Sequence, residues 1–115
     1  MQRRLTKNVK QEINTSKYYK RCAREDEGDC QGRITMEHAM YYAGKRIDDL
    51  WAIIPICAYH HAVDQFQDCG KIDKRKHEWI ALNRATDEEL KKYERANFIN
   101  KKEILNKTYG KPNFR

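Results

Sequence analysis

Cysteine, histidine and glutamate side chains are concentrated in one short part of this chain. Three of the four histidines and three of the four cysteines fall within forty residues, and a glutamate lies among them. These side chains bind metal ions and transfer protons near neutral pH. Their density predicts a metal-binding site beside a second site that does chemistry, built from Cys22, Cys30, Glu37, His38, Cys57, His60 and His61.

The first predicted site is a structural zinc centre. Cys57 and His60 form a Cys-x-x-His pair, a spacing that lets two ligands come from one tight turn, while seven residues separate Cys22 from Cys30. The four together make a Cys3His set, a known combination for tetrahedral structural zinc. Cys69 is an alternative fourth ligand, which would leave His60 for other work. The cysteines could also be small buried hydrophobic residues.

The second predicted site combines the pair Glu37-His38 with His61. A hairpin followed by a helix would bring these residues together around one ion. Mg2+ or another divalent cation prefers oxygen ligands but accepts a histidine when phosphate and water complete its coordination. Such a cation stabilises charge on a scissile phosphate, and a neutral histidine can take the proton from the attacking water. These residue types therefore suit hydrolysis of a phosphodiester bond.

Two further residues have more than one possible role. Asp64 lies three residues after His61, so a helix would place both on one face. Asp64 is then a candidate metal ligand or a group that orients His61, and an ordinary helix N-terminal acid is the plain alternative. His77 lies among charged residues near Trp79, and we interpret it as a bystander.

The elements expected to position these residues begin with two strands. Residues 33–40 fit a short strand that has Ile34 and Met36 on one face, and residues 44–49 fit a polar turn. The apolar residues 50–56 fit the second strand of a hairpin, with Pro55 at its end.

Helices are predicted after the two strands. The first covers residues 60–67, and a second covers residues 74–83 with its apolar side at Trp79, Ile80 and Leu82. A capping box at residues 86–89 begins the next, and residues 100–103 repeat the capping pattern ahead of a last helix. The predicted fold class is therefore α+β, with two strands and a helix followed by peripheral C-terminal helices.

Size and charge limit the functional classes. The chain has 115 residues, of which 39% are hydrophobic and 36% charged. It therefore has room for one small hydrophobic core, which a structural metal would help to stabilise. The formal net charge is +7. Residues 1–24 hold eight lysines and arginines against one acid, and the last fifteen residues hold five against one. Basic arms suit a polyanionic partner such as DNA, since each neutralised phosphate releases counterions.

The predicted organisation is a single domain over residues 1–115. It comprises a basic arm at 1–20, a zinc-stapled core at 20–68 and accessory helices at 72–108. No apolar run approaches the ~18 residues needed to span a bilayer, and the N-terminus lacks the apolar stretch of a signal peptide. We therefore expect a cytoplasmic protein without a membrane partner, whose cysteines are metal ligands or free thiols.

At these residues the chain resembles the HNH endonucleases, which have the ββα-metal (His-Me finger) fold. Their first strand ends in an acid–histidine pair, as Glu37-His38 does here. Their second strand and helix start read Asn-Leu-x-Pro-Leu-Cys-x-x-Cys-His, which is similar to Ala52-Ile53-Ile54-Pro55-Ile56-Cys57-Ala58-Tyr59-His60-His61. The spacing Cys22-x7-Cys30 resembles that of a small zinc-bearing subgroup from phages and prophages. The resemblance in these motifs covers residues 20–68, and a weaker similarity to uncharacterised HNH-type proteins of phages and prophages runs from Glu37 to Ala85.

The resemblance implies a metal-dependent DNA endonuclease that acts in phage recombination or packaging, in a bacterial or phage-infected cell. His38 would be the general base, and Glu37 and His61 would bind the divalent cation. DNA would be the partner, and a homodimer is an open alternative to a monomer. The implied ligands of structural Zn2+ are Cys22, Cys30, Cys57 and His60, with His60 replacing a second cysteine of the family motif.

One position departs from the family pattern. The family's middle asparagine, which orients the general base, falls on Ala52, and Asp48 or Asp49 from the preceding turn could take that role. With the role unfilled, the chain would be a zinc-containing nucleic-acid-binding protein with weak or no catalysis. A zinc-stapled interaction protein is a third interpretation, and the thirteen basic residues of the two arms argue against it.

Overall fold

A computed structural model describes residues 7–69 and 72–111, so Arg3, Arg4 and Arg115 of the predicted basic arms lie outside the described residues. The α+β class is confirmed over the described ranges, which contain five α-helices and two small sheets. The strands are β1 (Ile34–His38), β2 (Tyr41–Tyr42), β3 (Lys45–Arg46) and β4 (Ile53–Cys57). The helices are α1 (Lys7–Thr15), α2 (Ala58–His61), α3 (Lys74–Arg84), α4 (Asp87–Lys91) and α5 (Phe98–Tyr109).

Strands β1 and β4 pair antiparallel, with Glu37 opposite Ile54 and His38 opposite Ile53. Every residue of β4 is buried, whereas β1 alternates and buries Thr35 and Glu37. The sequence placed the apolar residues Ile34 and Met36 on one face of this strand. In the structure that face is the less buried of the two. The second strand also starts later than predicted, because residues Leu50–Ala52 form a 3-10 turn.

Pro55 lies in the middle of β4, not at its end as predicted. Proline cannot donate to a strand ladder and is tolerated where a strand has a sheet neighbour on only one side. β4 meets that condition, since β1 is the one strand that pairs with it among the described residues. The carbonyl of Pro55 accepts a hydrogen bond from the backbone N–H of Ala23 at 2.8 Å, which joins the N-terminal segment to the strand.

Between β1 and β4 the chain makes a second, smaller hairpin where the sequence predicted a plain turn. Strands β2 and β3 are joined by Ala43 and Gly44, whose φ angles are 52° and 78°. Two consecutive residues with positive φ are typical of the tight turn whose twist matches paired strands. The hairpin returns the chain to the end of β1, where Ile47 N–H donates to the carbonyl of Met40 at 3.0 Å.

The helix predicted over residues 60–67 is wrong. α2 is a single turn that ends at His61, because Ala62 and Asp64 have φ angles of 57° and 56°. The left-handed conformation cannot continue a right-handed helix. A 3-10 turn over Asp64–Phe66 follows, and its i, i+3 spacing of apolar residues resembles that of a helix, which explains the error.

The C-terminal helices follow the predicted capping signals in part. α3 matches the helix predicted over 74–83, and the capping box is confirmed: Thr86 Oγ1 accepts from Glu89 N–H at 3.2 Å, and Glu89 Oε1 accepts from Thr86 N–H at 2.9 Å. The helix start predicted from the capping pattern at residues 100–103 is wrong, because α5 begins at Phe98. Burial of the Phe98 side chain in the core places this start one turn earlier.

α3 packs into the core and does not lie at the periphery. Its residues Ile80, Ala81 and Leu82 are almost completely buried and belong to the same apolar cluster as β4. Arg84 at its end donates to the carbonyl of Ile53 at 2.9 Å and to the hydroxyl of Tyr19 at 2.8 Å. The accessory helix is thus part of the structure that holds β4 in place. None of the described helices has the length and apolar composition to cross a membrane.

Candidate metal centre and adjoining acid–histidine cluster

Four side chains of the predicted zinc centre converge. One ligand atom from each of Cys22, Cys30, Cys57 and His60 lies within 4.8 Å of the others. The three sulfurs are 3.6, 3.7 and 3.4 Å from His60 Nδ1, in that order. Tetrahedral zinc with Zn–S near 2.3 Å and Zn–N near 2.05 Å places sulfur and nitrogen ligands about 3.6 Å apart. The group, called the Cys3His centre below, could therefore hold a structural metal such as zinc.

Local backbone structure orients these ligands. Cys57 ends β4 and caps α2, and its sulfur accepts from the backbone N–H of His60 at 3.5 Å. The sulfur of Cys22 accepts from the N–H of Arg24 at 3.4 Å. Such N–H donors outside the ligand set fix ligand orientation and stabilise negative charge on sulfur. The centre ties the N-terminal segment to the end of the β1–β4 sheet.

Cys69 is not a member of the Cys3His centre. Its thiol donates to the carbonyl of Tyr59 at 3.2 Å. The sequence left Cys69 and His60 as alternatives for the fourth ligand, and the structure brings His60 to the other three.

The protons of these thiols make metal binding dependent on pH. Desolvation raises the pKa of Cys22, and desolvation together with the neighbouring Cys22 raises the pKa of Cys30 to about 12. Desolvation acts in the same direction on Cys57, but backbone hydrogen bonds from His60 and Gln31 lower its pKa overall. Thiolates, not thiols, bind metals, so a bound ion must displace these protons.

A second cluster surrounds Glu37. Its Oε1 lies 3.4 Å from His61 Nε2, and its Oε2 lies against His77 Nδ1. Glu37, His38, His61 and His77 line one cavity of about 650 Å3, together with the cations Arg46 and Lys74. The structure thus brings the predicted residues Glu37, His38 and His61 to one place and adds a histidine that the sequence analysis set aside.

The hydrogen bonds of Thr35 define the tautomer of His61. Thr35 Oγ1 is 2.6 Å from the carbonyl of Ile56 and 2.6 Å from His61 Nδ1. A hydroxyl has one hydrogen and a carbonyl only accepts, so Thr35 donates to Ile56 and His61 Nδ1–H donates to Thr35. His61 Nε2 therefore carries a lone pair that faces Glu37 Oε1. Desolvation lowers the pKa of His61, which keeps the ring neutral. Two acceptors in contact are suited to share a metal cation.

His38 meets Asp48 at the other side of the cluster. His38 Nε2 and Asp48 Oδ1 are 3.0 Å apart, and both atoms are buried. Desolvation first, and then Arg46, lower the pKa of His38, so its ring is neutral near pH 7 and can accept a proton. Asp49, the other candidate for the orienting role, accepts from the hydroxyl of Tyr93 at 2.7 Å. Asp48 is therefore the acid that contacts His38.

Asp64 does not share a helix face with His61, because α2 ends before it. Its two carboxylate oxygens accept from Arg33 at 2.9 and 3.2 Å, in an ion pair that is largely exposed. The prediction that helical spacing places Asp64 beside His61 is thus wrong, and its carboxylate is held by the guanidinium of Arg33.

His77 is the residue that the sequence analysis missed. It comes from α3 and is 1% exposed. A signal was present in the sequence: His77 precedes the buried Ile80 and Ala81 by three and four residues, which places it on the apolar face of the helix. A polar side chain on such a face must find a partner, and Glu37 is that partner.

Arg24 connects the Cys3His centre with this cluster. Its side chain is nearly buried, and its Nη1 donates to the carbonyl of His60 at 3.4 Å and lies 3.3 Å from His77 Nε2. Its Nε and Nη2 donate to the two carboxylate oxygens of Glu27, each at 2.8 Å, and Lys76 lies 2.5 Å from the same carboxylate. Glu27 therefore holds the guanidinium that spans the two sites.

Replacing Glu27 with glutamine is expected to lower the free energy of unfolding by about 2 kcal/mol at pH 7, because a charged partner of Arg24 is lost. Hydrogen bonds from Arg24, followed by Lys76, outweigh desolvation and lower the pKa of Glu27 from 4.5 to about 2. A lowered folded-state pKa stabilises the protein above pH 4.5, and that contribution disappears as the pH falls toward 2. Denaturant unfolding at pH 7 measures the full contribution of the Glu27 carboxylate to the free energy of unfolding.

The control for this change is Glu25→Gln. Glu25 pairs with Arg21 in an exposed contact, so its loss is expected to cost less than about 0.5 kcal/mol. Equal effects of the two substitutions would contradict the role given to Glu27.

Comparison with known proteins adds no family assignment to this geometry. The chain has no significant match among protein-family models, among curated proteins or among solved structures.

Proposed function

We propose that this protein is a metal-dependent DNA endonuclease of the HNH type, in which β1, β4 and α2 form a ββα-metal core. The observation that carries the proposal is the contact of Glu37 Oε1 with His61 Nε2, two acceptors 3.4 Å apart in a cavity that also contains His38. These two residues would hold a divalent cation such as Mg2+. When bound, that cation supplies charge stabilisation for the scissile phosphate and the leaving oxygen.

His38 would be the general base. Its Nε2 lies 3.0 Å from Asp48 Oδ1. A proton on Nε2 would leave the lone pair on Nδ1, and Nδ1 would take a proton from the attacking water. The water oxygen forms a bond to phosphorus as the bond to the leaving oxygen breaks. Asp48 would orient the ring, which is the role that the family assigns to the asparagine replaced by Ala52. The carboxylate of Asp48 would then fill the role left open at Ala52.

Charge supports a nucleic-acid substrate. The formal net charge is +7, and Arg46 and Lys74 line the cavity beside the acid–histidine cluster. Cations at this place suit the phosphates on either side of a scissile bond. Structural zinc in the Cys3His centre would hold the N-terminal segment against β4 and α2. Action in phage recombination or packaging belongs to the same proposal and rests on the resemblance in the motifs.

The experiment is a plasmid cleavage assay with the zinc-loaded protein. Supercoiled DNA is incubated with added Mg2+, Mn2+ or Ni2+ and without any added divalent cation. We expect nicked or linear product only with an added cation. If the zinc-loaded protein cleaves with none of the three metals, the endonuclease proposal is wrong.

The cleavage rate is expected to depend on pH through His38. A general base acts only when neutral, and desolvation and Arg46 hold the pKa of His38 below its usual 6.5. The rate should therefore be level between pH 7 and 8 and fall on the acid side with a midpoint below about 6.5. Measurement of kcat/KM from pH 5 to 8, with zinc content checked at each pH, tests this. A midpoint above 7 would exclude His38 in this environment as the base.

A zinc-containing nucleic-acid-binding protein without catalysis is the second candidate. The observation in its favour is Ala52, which is fully buried and has no polar side chain to orient a histidine. Its carbonyl accepts from Ala39 N–H at 2.9 Å, directly after His38. DNA binding without cleavage under any of the assay conditions is the result expected for this candidate.

A further inference from the structure

We propose that His77 is a positioning residue for Glu37, and that Arg24 determines which nitrogen of His77 carries the proton. The inference rests on the proposed function, because it concerns the carboxylate that would bind the divalent cation. His77 lies on α3, outside residues 20–68 that carry the HNH motifs, so this contribution comes from a helix that was predicted to be accessory.

The contact between His77 and Glu37 is enclosed. His77 Nδ1 and Glu37 Oε2 are both buried, and neither forms a hydrogen bond with any group in the part of the chain that the structure describes. The two atoms lie against each other. Buried polar atoms are rarely left without a partner, so we infer from this contact that each atom is the intended partner of the other.

The direction of the pairing follows from Arg24. A guanidinium has donors only, and Arg24 Nη1 is 3.3 Å from His77 Nε2. His77 Nε2 must therefore accept, which puts the proton of the neutral ring on Nδ1, the nitrogen that faces Glu37 Oε2. One oxygen of the carboxylate thus faces a donor. The other, Oε1, keeps its lone pairs toward His61 Nε2, where the cation would bind.

The same arginine reaches the Cys3His centre. Arg24 Nη1 donates to the carbonyl of His60, and its backbone N–H donates to the sulfur of Cys22. Arg24 is thus held by two residues of the zinc centre while it holds His77. The chain of contacts from His60 through Arg24 and His77 to Glu37 makes the geometry of the cation site depend on a correctly formed zinc centre.

The first test measures the tautomer of His77 directly in the zinc-loaded wild-type protein. Long-range nitrogen–proton NMR correlations of the imidazole rings distinguish a proton on Nδ1 from one on Nε2. The expected result for His77 is a proton on Nδ1 with Nε2 unprotonated. A proton on Nε2 alone would overturn the proposal, and this measurement does not depend on cleavage activity or on any variant.

The second test compares His77→Phe with His77→Asn. Phenylalanine keeps the ring shape without a donor, whereas the amide nitrogen of asparagine can replace Nδ1–H. On zinc-loaded protein, Mn2+ affinity is measured by electron paramagnetic resonance and zinc content by elemental analysis. We expect His77→Phe to keep one zinc but bind Mn2+ about 10- to 100-fold more weakly, as is found when groups behind a metal ligand are removed. His77→Asn should recover at least part of that loss.

The outcomes separate this inference from the proposed function. Wild-type protein that binds no Mn2+ and cleaves no DNA contradicts the endonuclease. Wild-type protein that binds and cleaves, with equal Mn2+ affinity in His77→Phe, overturns the positioning role alone. If His77→Phe does not fold, the comparison is made between His77→Asn and wild type: a tenfold or larger loss of Mn2+ affinity in His77→Asn overturns the donor role, and a smaller one supports it.

Discussion

Replacing Cys57 with alanine is expected to abolish zinc binding. Without the metal, the variant should not be stably folded at 25 °C and should show no cooperative unfolding transition. Cys57 is the last residue of β4 and the cap of α2, and its sulfur lies 3.4 Å from His60 Nδ1 in the Cys3His centre. Structural zinc contributes roughly 10–16 kcal/mol of apparent binding free energy in small domains, about as much as the ~5–15 kcal/mol that stabilises a whole domain. A chain with 39% hydrophobic residues has little core to compensate.

Two measurements check this expectation. Elemental analysis of wild-type protein should give one zinc per chain, and circular dichroism should show that removal of the metal eliminates the cooperative melting transition. A wild-type protein that melts at the same temperature with and without metal would contradict a structural role for the Cys3His centre.

Cys69→Ala is the matched control for Cys57→Ala. Cys69 lies outside the Cys3His centre, and its thiol donates a hydrogen bond to the carbonyl of Tyr59. This variant should retain one zinc per chain and lose about 1 kcal/mol of unfolding free energy or less. Loss of zinc from Cys69→Ala would show that the fourth ligand had been assigned to the wrong residue.

Replacing His38 with alanine is expected to lower the rate of metal-dependent DNA cleavage by about 10²- to 10⁴-fold, the usual contribution of a positioned general base. His38 lines the cavity that contains Glu37 and His61, and desolvation of its partly buried ring lowers its pKa and keeps it neutral. Plasmid cleavage measures the rate, and DNA binding and melting temperature are measured in parallel. Loss of cleavage together with retained DNA binding supports His38 as the general base. An unchanged rate would remove His38 from the mechanism.

The neighbouring acids provide a matched pair for the same question. Asp48 contacts His38, whereas Asp49 accepts from the hydroxyl of Tyr93, an interaction that an asparagine oxygen can also make. Asp48→Asn should lower the cleavage rate at least about tenfold, because an amide can donate to His38 and favour the wrong tautomer. Asp49→Asn should cleave at the wild-type rate. Equal rates in both variants would contradict an orienting role for Asp48.

Local sequence patterns predicted the parts of this protein that depend on near neighbours. The Cys-x-x-His spacing places Cys57 and His60 on one turn whatever the rest of the chain does, and the capping box at Thr86 needs only Glu89 three residues later. The strand that ends in Glu37 and His38 was likewise recognisable from its own composition. Each of these features is set by backbone geometry within a few residues.

The same local patterns were misleading where distant contacts determine the structure. Residues 100–103 resemble a capping sequence, but burial of Phe98 against the core starts α5 earlier. Val63 and Phe66 fit a helical spacing, but two left-handed residues after His61 end the helix. A short pattern of this kind is compatible with more than one backbone path, and tertiary packing selects among them.

The sequence by itself determined which residue types are available for metal binding and proton transfer, and it determined the order in which they occur. Only the tertiary structure selected among them: His60 over Cys69 for the metal centre, Asp48 over Asp49 beside His38, and His77 as the partner of Glu37. The physical reason is distance along the chain. Arg24 and His77 are 53 residues apart, and they meet only because α3 packs against β4. No local spacing rule encodes that docking.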